Sequence, residues 1–122
     1  MAEGKILVVD DSPTELQLMA EPLIARGYQV ITATNGTEAM ETALREHPRL
    51  ILLDVLMPGK NGFQICRQIK TNPATSNIKV MIVSSKNQES DRFWGLKQGA
   101  DEYLAKPFDD DTLLDHVNAL LG

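Results

Sequence analysis

A three-layer, doubly wound α/β sandwich around a five-stranded parallel sheet is the fold this sequence predicts, on three observations. Five short apolar runs alternate with five helical patterns along 122 residues. The runs lack inside/outside alternation, so both faces of the sheet must be covered. The segments between them are long enough for right-handed helical crossovers. The predicted strand order is 2-1-3-4-5, and the cleft of such a sheet lies outside the carboxyl ends of its strands, at the switch point. With no linker, repeat or low-complexity stretch, residues 1–122 read as a single domain.

Ile6-Leu7-Val8-Val9 is the first strand and ends in Asp10-Asp11. Ser12-Pro13-Thr14-Glu15 reads as a helix start, with Ser12 at the N-cap, Pro13 in the first turn and Glu15 closing a capping box. Leu16, Met19, Ala20, Leu23 and Ile24 follow at helical spacing until Gly27. Pro22 removes a backbone hydrogen bond inside that helix, but it falls off the Leu16-Met19-Leu23 stripe and is expected on the solvent side. Tyr28 to Ala33 is the second strand. Asn35-Gly36-Thr37-Glu38 opens a helix whose inner face is Ala39, Met40, Ala43 and Leu44, with Pro48 beyond its end.

Leu50-Ile51-Leu52-Leu53 is the third strand, and Asp54 stands at its mouth. The turn formers of Met57-Pro58-Gly59-Lys60-Asn61-Gly62 stop it there. Asn61 starts a helix that buries Phe63, Cys66 and Ile69 and stops near Asn72-Pro73. Val80-Met81-Ile82-Val83 is the fourth strand and runs into Ser84-Ser85. The fourth helix is expected over 87–98, ending at Gly99, with Phe93 and Leu96 on a shared core face and Trp94 about 100° away at the rim. Asp101 to Ala105 is a short fifth strand before Lys106-Pro107-Phe108. Asp109-Asp110-Asp111 places negative charge at the start of the last helix, where the dipole favours it, and Leu113, Leu114, Val117, Leu120 and Leu121 are its core side.

Composition sets bounds on function. Hydrophobic residues at 43% with 24% charged are ordinary for a water-soluble globular domain. No apolar run reaches the length of a membrane span and no signal-peptide layout opens the chain, so a cytoplasmic location is expected. A net charge of −5 argues against a nucleic-acid surface. Cys66, the single cysteine, cannot form an internal disulfide. His47 and His116 lack metal-ligand spacing.

The predicted topology delivers chemistry to one edge. Strand one brings Asp10 and Asp11, strand three Asp54, strand four Ser84 and strand five Lys106. At ~4 Å and an effective dielectric near ~20, each carboxylate pair costs about 4 kcal/mol, more than one lysine offsets. A hard divalent cation such as Mg²⁺ does offset it, using one or two carboxylates plus waters and a phosphate. Metal and ammonium together neutralise transferring phosphoryl oxygens, which leaves Asp54 as nucleophile. Ser84 can donate its hydroxyl to the new phosphoryl group, although a strand-end Ser alone reads as a cap. Lys106 alone reads as a solvated lysine; Pro107 makes the bond between them a candidate for cis, aiming the ammonium into the cleft.

These residues together resemble the receiver domain of two-component response regulators, a flavodoxin-like fold, and the similarity covers essentially the whole chain. Asp10-Asp11, Asp54 with Met57-Pro58 and Gly62, Ser84, and Lys106-Pro107 stand where that family's motif has them. The likeness is greatest to small stand-alone regulators of chemotaxis and twitching motility. It implies that Asp54 accepts a phosphoryl group from a histidine kinase or histidine phosphotransfer protein. It also implies that Asp11, Asp54 and the Leu56 carbonyl hold Mg²⁺, with Asp10 helping through water. Lys106 would contact phosphoryl oxygens, Ser84 would move towards them, and Tyr103 would be the aromatic switch, so that the fourth helix, fifth strand and last helix control a downstream protein target. Such a protein is not a conventional enzyme: it catalyses its own phosphorylation and slow autodephosphorylation, as a monomer or weak dimer.

Leu56, where some members carry Asn, and Lys86 depart from the best-known pattern and flank the route of the hydrolytic water. The alternatives are a receiver-shaped scaffold that is never phosphorylated, or a phosphate sink within a phosphorelay. An aspartate-nucleophile phosphohydrolase fits poorly, because Leu56 and Pro58 replace the Asp and the Thr or Val that class wants. A flavin or nucleotide module lacks its glycine- or hydroxyl-rich phosphate loop, and Asp10-Asp11 would repel the phosphate.

Overall fold

The computed structural model describes residues 4–57, 61–86 and 88–122. Ten elements follow in order: β1 (Lys5–Val9), α1 (Pro13–Ala25), β2 (Gln29–Ala33), α2 (Gly36–Glu46), β3 (Leu50–Leu53), α3 (Gly62–Thr71), β4 (Lys79–Ser84), α4 (Glu89–Lys97), β5 (Glu102–Ala105) and α5 (Asp110–Leu121). The sheet is parallel throughout, in the order β2-β1-β3-β4-β5. Pro58, Gly59, Lys60 and Asn87, which figured in the turn after the third strand and at the predicted start of the fourth helix, lie outside the described residues.

The continuous apolar strands split their side chains between two cores. Leu7, Val9, Ile51, Leu53, Val80 and Ile82 pack with Ala39, Ala43, Phe63, Cys66 and Ile69 under α2 and α3. Ile6, Val8, Leu50, Leu52, Met81 and Val83 pack with Leu16, Met19, Leu23, Leu113 and Val117 under α1 and α5. Successive strand residues point to opposite faces, so a strand buried on both must be apolar at every position.

Caps at helix starts set where each strand lets go. Ser12, Asn35, Asn61 and Asp109 each accept, through a side-chain oxygen, the backbone N–H three residues on, satisfying one of the helix's orphan donors. Gly62, at the start of α3, has a different constraint. A Cβ there would stand 2.4 Å from the Val55 Cα and 2.6 Å from the Asp54 carbonyl oxygen, so α3 can start against the backbone that carries Asp54 only without a side chain.

Several expectations are corrected. Pro22 is buried and Ile24 is 57% exposed. They flank opposite edges of the α1 stripe, and which edge becomes covered depends on neighbouring elements that periodicity does not encode. Leu44 is 40% exposed on α2. The larger inversion is in α4, where Phe93 is 63% exposed and Leu96 51%. Its inward line is Asp91, Gly95 and Gln98. A Cβ at Gly95 would lie 2.9 Å from the Ile82 Cδ1 and 3.0 Å from the Tyr103 Cδ2. The helix therefore seats on the sheet through its smallest residue and turns its apolar ones outward.

Candidate functional site

Sheet register assembles the site. Val9 pairs with Leu53, so the next residues of β1 and β3, Asp10 and Asp54, leave the sheet side by side. Ser84 pairs with Ala105, placing Lys106 just beyond the end of β4, where its N–H donates to the Ser84 carbonyl at 2.9 Å. The Lys106–Pro107 bond is cis. Each of these groups is thus delivered by a rigid strand end.

The ammonium of Lys106 occupies the centre. It donates to Asp10 Oδ2 at 2.9 Å, Glu15 Oε1 at 3.1 Å and Asp54 Oδ2 at 3.3 Å. The second oxygen of Asp10 accepts from the Ser12 N–H at 3.0 Å, and that of Asp54 from the Leu56 N–H at 2.8 Å. Asp10 is 1% exposed and Asp54 7%. Burial pushes the Asp54 carboxyl above the usual carboxylate range; the Leu56 N–H and the Lys106 charge oppose that, and the Asp10 charge adds to it. For Lys106, burial acts to lower its pKa, but the hydrogen bond it donates to Asp10 and the charges of Asp54 and Asp10 outweigh it and hold it above the ordinary lysine value.

Of the predicted site residues, Asp10, Asp54 and Lys106 are brought into contact. Asp11 lies next to them on the exposed rim. Leu56 is half-exposed, its N–H turned to Asp54. Ser84 is buried, and its hydroxyl accepts from the Lys86 N–H at 3.1 Å. Tyr103 is inward, 2% exposed, and its hydroxyl donates to the Lys86 carbonyl. Burial raises its pKa, with Asp91 adding to the effect and the Ser84 hydroxyl beside the phenol holding it back.

Two participants were not legible in the sequence. Glu15 does not close the expected capping box; the Ser12 N–H goes to Asp10, which frees the Glu15 carboxylate for Lys106. Its only sequence signal is an acid in the first turn after Asp10-Asp11, which a cap reading explains equally well. Arg92 places its guanidinium 5.5 Å from the Tyr103 ring centroid and donates to the Tyr103 carbonyl at 3.2 Å. Elsewhere, burial pushes the Cys66 thiol up to about 12, so it is an inert core group. His116 faces Glu102 at 3.4 Å on the α5 surface.

Chemically, the edge offers oxygen donors in excess of cationic charge. Among the described residues no three His, Cys, Asp or Glu side chains form a closed metal cage. The donors present are two buried carboxylates, a third on the rim and backbone oxygens, which suits a hard cation that keeps several waters. Asp54, raised by burial beside a second acid, is a group such a cation would relieve.

Comparison with known proteins agrees with this arrangement. The family model for the response regulator receiver domain matches residues 6–118. Protein PilH of Pseudomonas aeruginosa is 48% identical over 119 residues, covering 98% of each chain. Response regulator PleD of Caulobacter vibrioides is 42% identical over 117 residues, which are 96% of this chain and 26% of PleD. The solved structure of chemotaxis response regulator CheY4 of Vibrio cholerae superposes with a TM-score of 0.92 at 29% identity, covering 98% of this chain and 100% of that one. With its sheet order, its acid-and-lysine edge and this match in hand, the chain belongs to the response regulator receiver domain family.

Proposed function

We propose that this protein is a phosphorylation-driven signalling domain in which Asp54 takes a phosphoryl group from a phosphohistidine on a histidine kinase or histidine phosphotransfer protein. The observation that carries the reading is the Lys106 ammonium held between buried Asp10 and Asp54 at the sheet's carboxyl edge. An Asp54 carboxylate oxygen attacks phosphorus in line. A P–O bond forms, the P–N bond to the donor imidazole breaks, and the departing nitrogen keeps the electron pair and takes up a proton. Lys106 sits within reach of the oxygens on which charge develops, its ammonium already beside Asp54 before reaction.

Asp11, Asp54 and the Leu56 carbonyl would hold Mg²⁺, with Asp10 acting through water. When bound, the cation supplies charge neutralisation to the transferring group. Once an acyl phosphate with about two negative charges stands where the Asp54 carboxylate carried one, the state with the Ser84 hydroxyl and Lys106 turned to it gains, and the population shifts. Tyr103, stacked under Arg92 and tied to the Lys86 carbonyl, links that shift to α4. The outward Phe93, Trp94 and Leu96 support a readout surface on α4, β5 and α5 for a downstream protein. Leu56 and Lys86 would flank the route of the hydrolytic water, as in the family they resemble.

The match to PilH along its length supports a stand-alone, single-domain regulator over residues 1–122, and its likeness to CheY4 supports a role in motility or taxis. Among the described residues no helix is long and apolar enough to cross a membrane; the cytoplasmic setting proposed here is the one expected for a partner of a histidine kinase's phosphohistidine. The test is incubation with a small acyl phosphate and Mg²⁺, followed by intact mass measurement. One hydroxylamine-sensitive phosphoryl adduct is expected, lost in Asp54→Asn and without the metal. Equal labelling of Asp54→Asn would refute the assignment.

A further inference from the structure

We infer that Glu15 is a positioning residue that draws off part of the hydrogen bonding of the Lys106 ammonium beside Asp54 and releases it when a phosphoryl group arrives. The inference rests on Asp54 being the phosphoryl acceptor, as proposed above. An ammonium has three N–H donors. All three are committed here, with the longest bond, 3.3 Å, going to Asp54 and shorter ones to Asp10 at 2.9 Å and Glu15 at 3.1 Å. To turn fully to phosphoryl oxygens, Lys106 must give up one of the other two acceptors.

Burial decides which. The Asp10 side chain is 2% exposed, and its remaining partner is the Ser12 N–H. Stripped of Lys106, it would be a buried carboxylate without a counter-charge, which is strongly unfavourable. The Glu15 side chain is 39% exposed and can turn to water at little cost. Glu15 is also free to serve, because the Asp10 carboxylate has taken the Ser12 N–H that a capping box would have given it. The resting cleft therefore keeps its lysine partly on α1, and phosphorylation turns that share to the phosphoryl oxygens.

Glu15→Gln should bind beryllofluoride, a phosphoryl mimic, about 2- to 5-fold more tightly in saturating Mg²⁺ and accept phosphate from a small acyl phosphate faster by a similar factor, the scale of a half-exposed ion pair. Glu15→Asp keeps the charge but loses a methylene of reach, so it should behave like Glu15→Gln. Titration calorimetry and timed mass measurement read both, with thermal midpoints as the folding control. Wild-type values for both variants would overturn the inference. So would a gain in Glu15→Gln with Glu15→Asp unchanged, which would assign the effect to charge near the cleft alone. If no protein, wild type included, takes up beryllofluoride, the Asp54 reading itself fails and this one with it.

Discussion

At the scale of single residues, the site trades stability for reactivity. The Asp54 pKa is raised by burial, so the folded state binds its proton more tightly than the unfolded chain does. Stability linked to such a group is fully present below the unfolded chain's ordinary carboxyl pKa and is lost as pH rises through the higher folded-state pKa. Asp54→Asn should therefore melt higher than wild type at neutral pH without metal, by roughly 1 kcal/mol, a common gain when a functional site is neutralised. The gap should close on acidification below the ordinary carboxylate range, where the aspartate is protonated in the folded and unfolded chains alike. Calorimetric melting across pH in a chelator checks both parts. Lys106→Ala leaves Asp10 and Asp54 buried without their cation and should cost about 3 kcal/mol at neutral pH in urea unfolding. Acid should recover part of that loss, since protonated carboxyls need no counter-charge.

At the scale of elements, α4 carries the plainest lesson. Its period groups Phe93 and Leu96 correctly on one face, yet that face is outside. Which stripe turns inward was decided by Gly95, because only a residue without a side chain fits over Ile82 and Tyr103. Phe93→Ala and Leu96→Ala should each change stability by no more than about 0.5 kcal/mol. Gly95→Ala should cost about 1–3 kcal/mol through overpacking. Chemical denaturation separates these outcomes, and a loss above about 2 kcal/mol for Phe93→Ala would contradict its exposure. In α3, Gly62→Ala should likewise destabilise, because its Cβ meets backbone that cannot yield.

At the scale of the whole molecule, the far edge of the sheet is held by polar links as well as by core. Asp101 Oδ2 accepts from the Val80 N–H at 2.9 Å and from Lys70 at 3.1 Å, and Lys70 also donates to the Ile78 carbonyl at 2.9 Å. That joins α3, β4 and the entry to β5 around two side chains. Asp101→Ala orphans a strand N–H and takes the counter-charge from the Lys70 ammonium, and should cost about 1–3 kcal/mol, read as a shifted urea midpoint at unchanged slope. The same edge carries Tyr103 and α4, so beryllofluoride with Mg²⁺ should slow amide hydrogen exchange in α4 and β5 more than in α2.

The alternation of apolar runs with helical periods was enough, by itself, to determine the layers, the parallel sheet and its order, because two-sided burial and right-handed crossovers leave few other solutions. It also sufficed to bring Asp10, Asp54, Ser84 and Lys106 to one edge, since strand ends in register must emerge together. Tertiary structure alone decided that Glu15 serves Lys106 and not a cap, that Pro22 is covered, and that α4 turns its aromatics outward. Each of those choices is a competition between nearly equivalent local options, and it is settled by what packs across from the residue, which no period along the chain records.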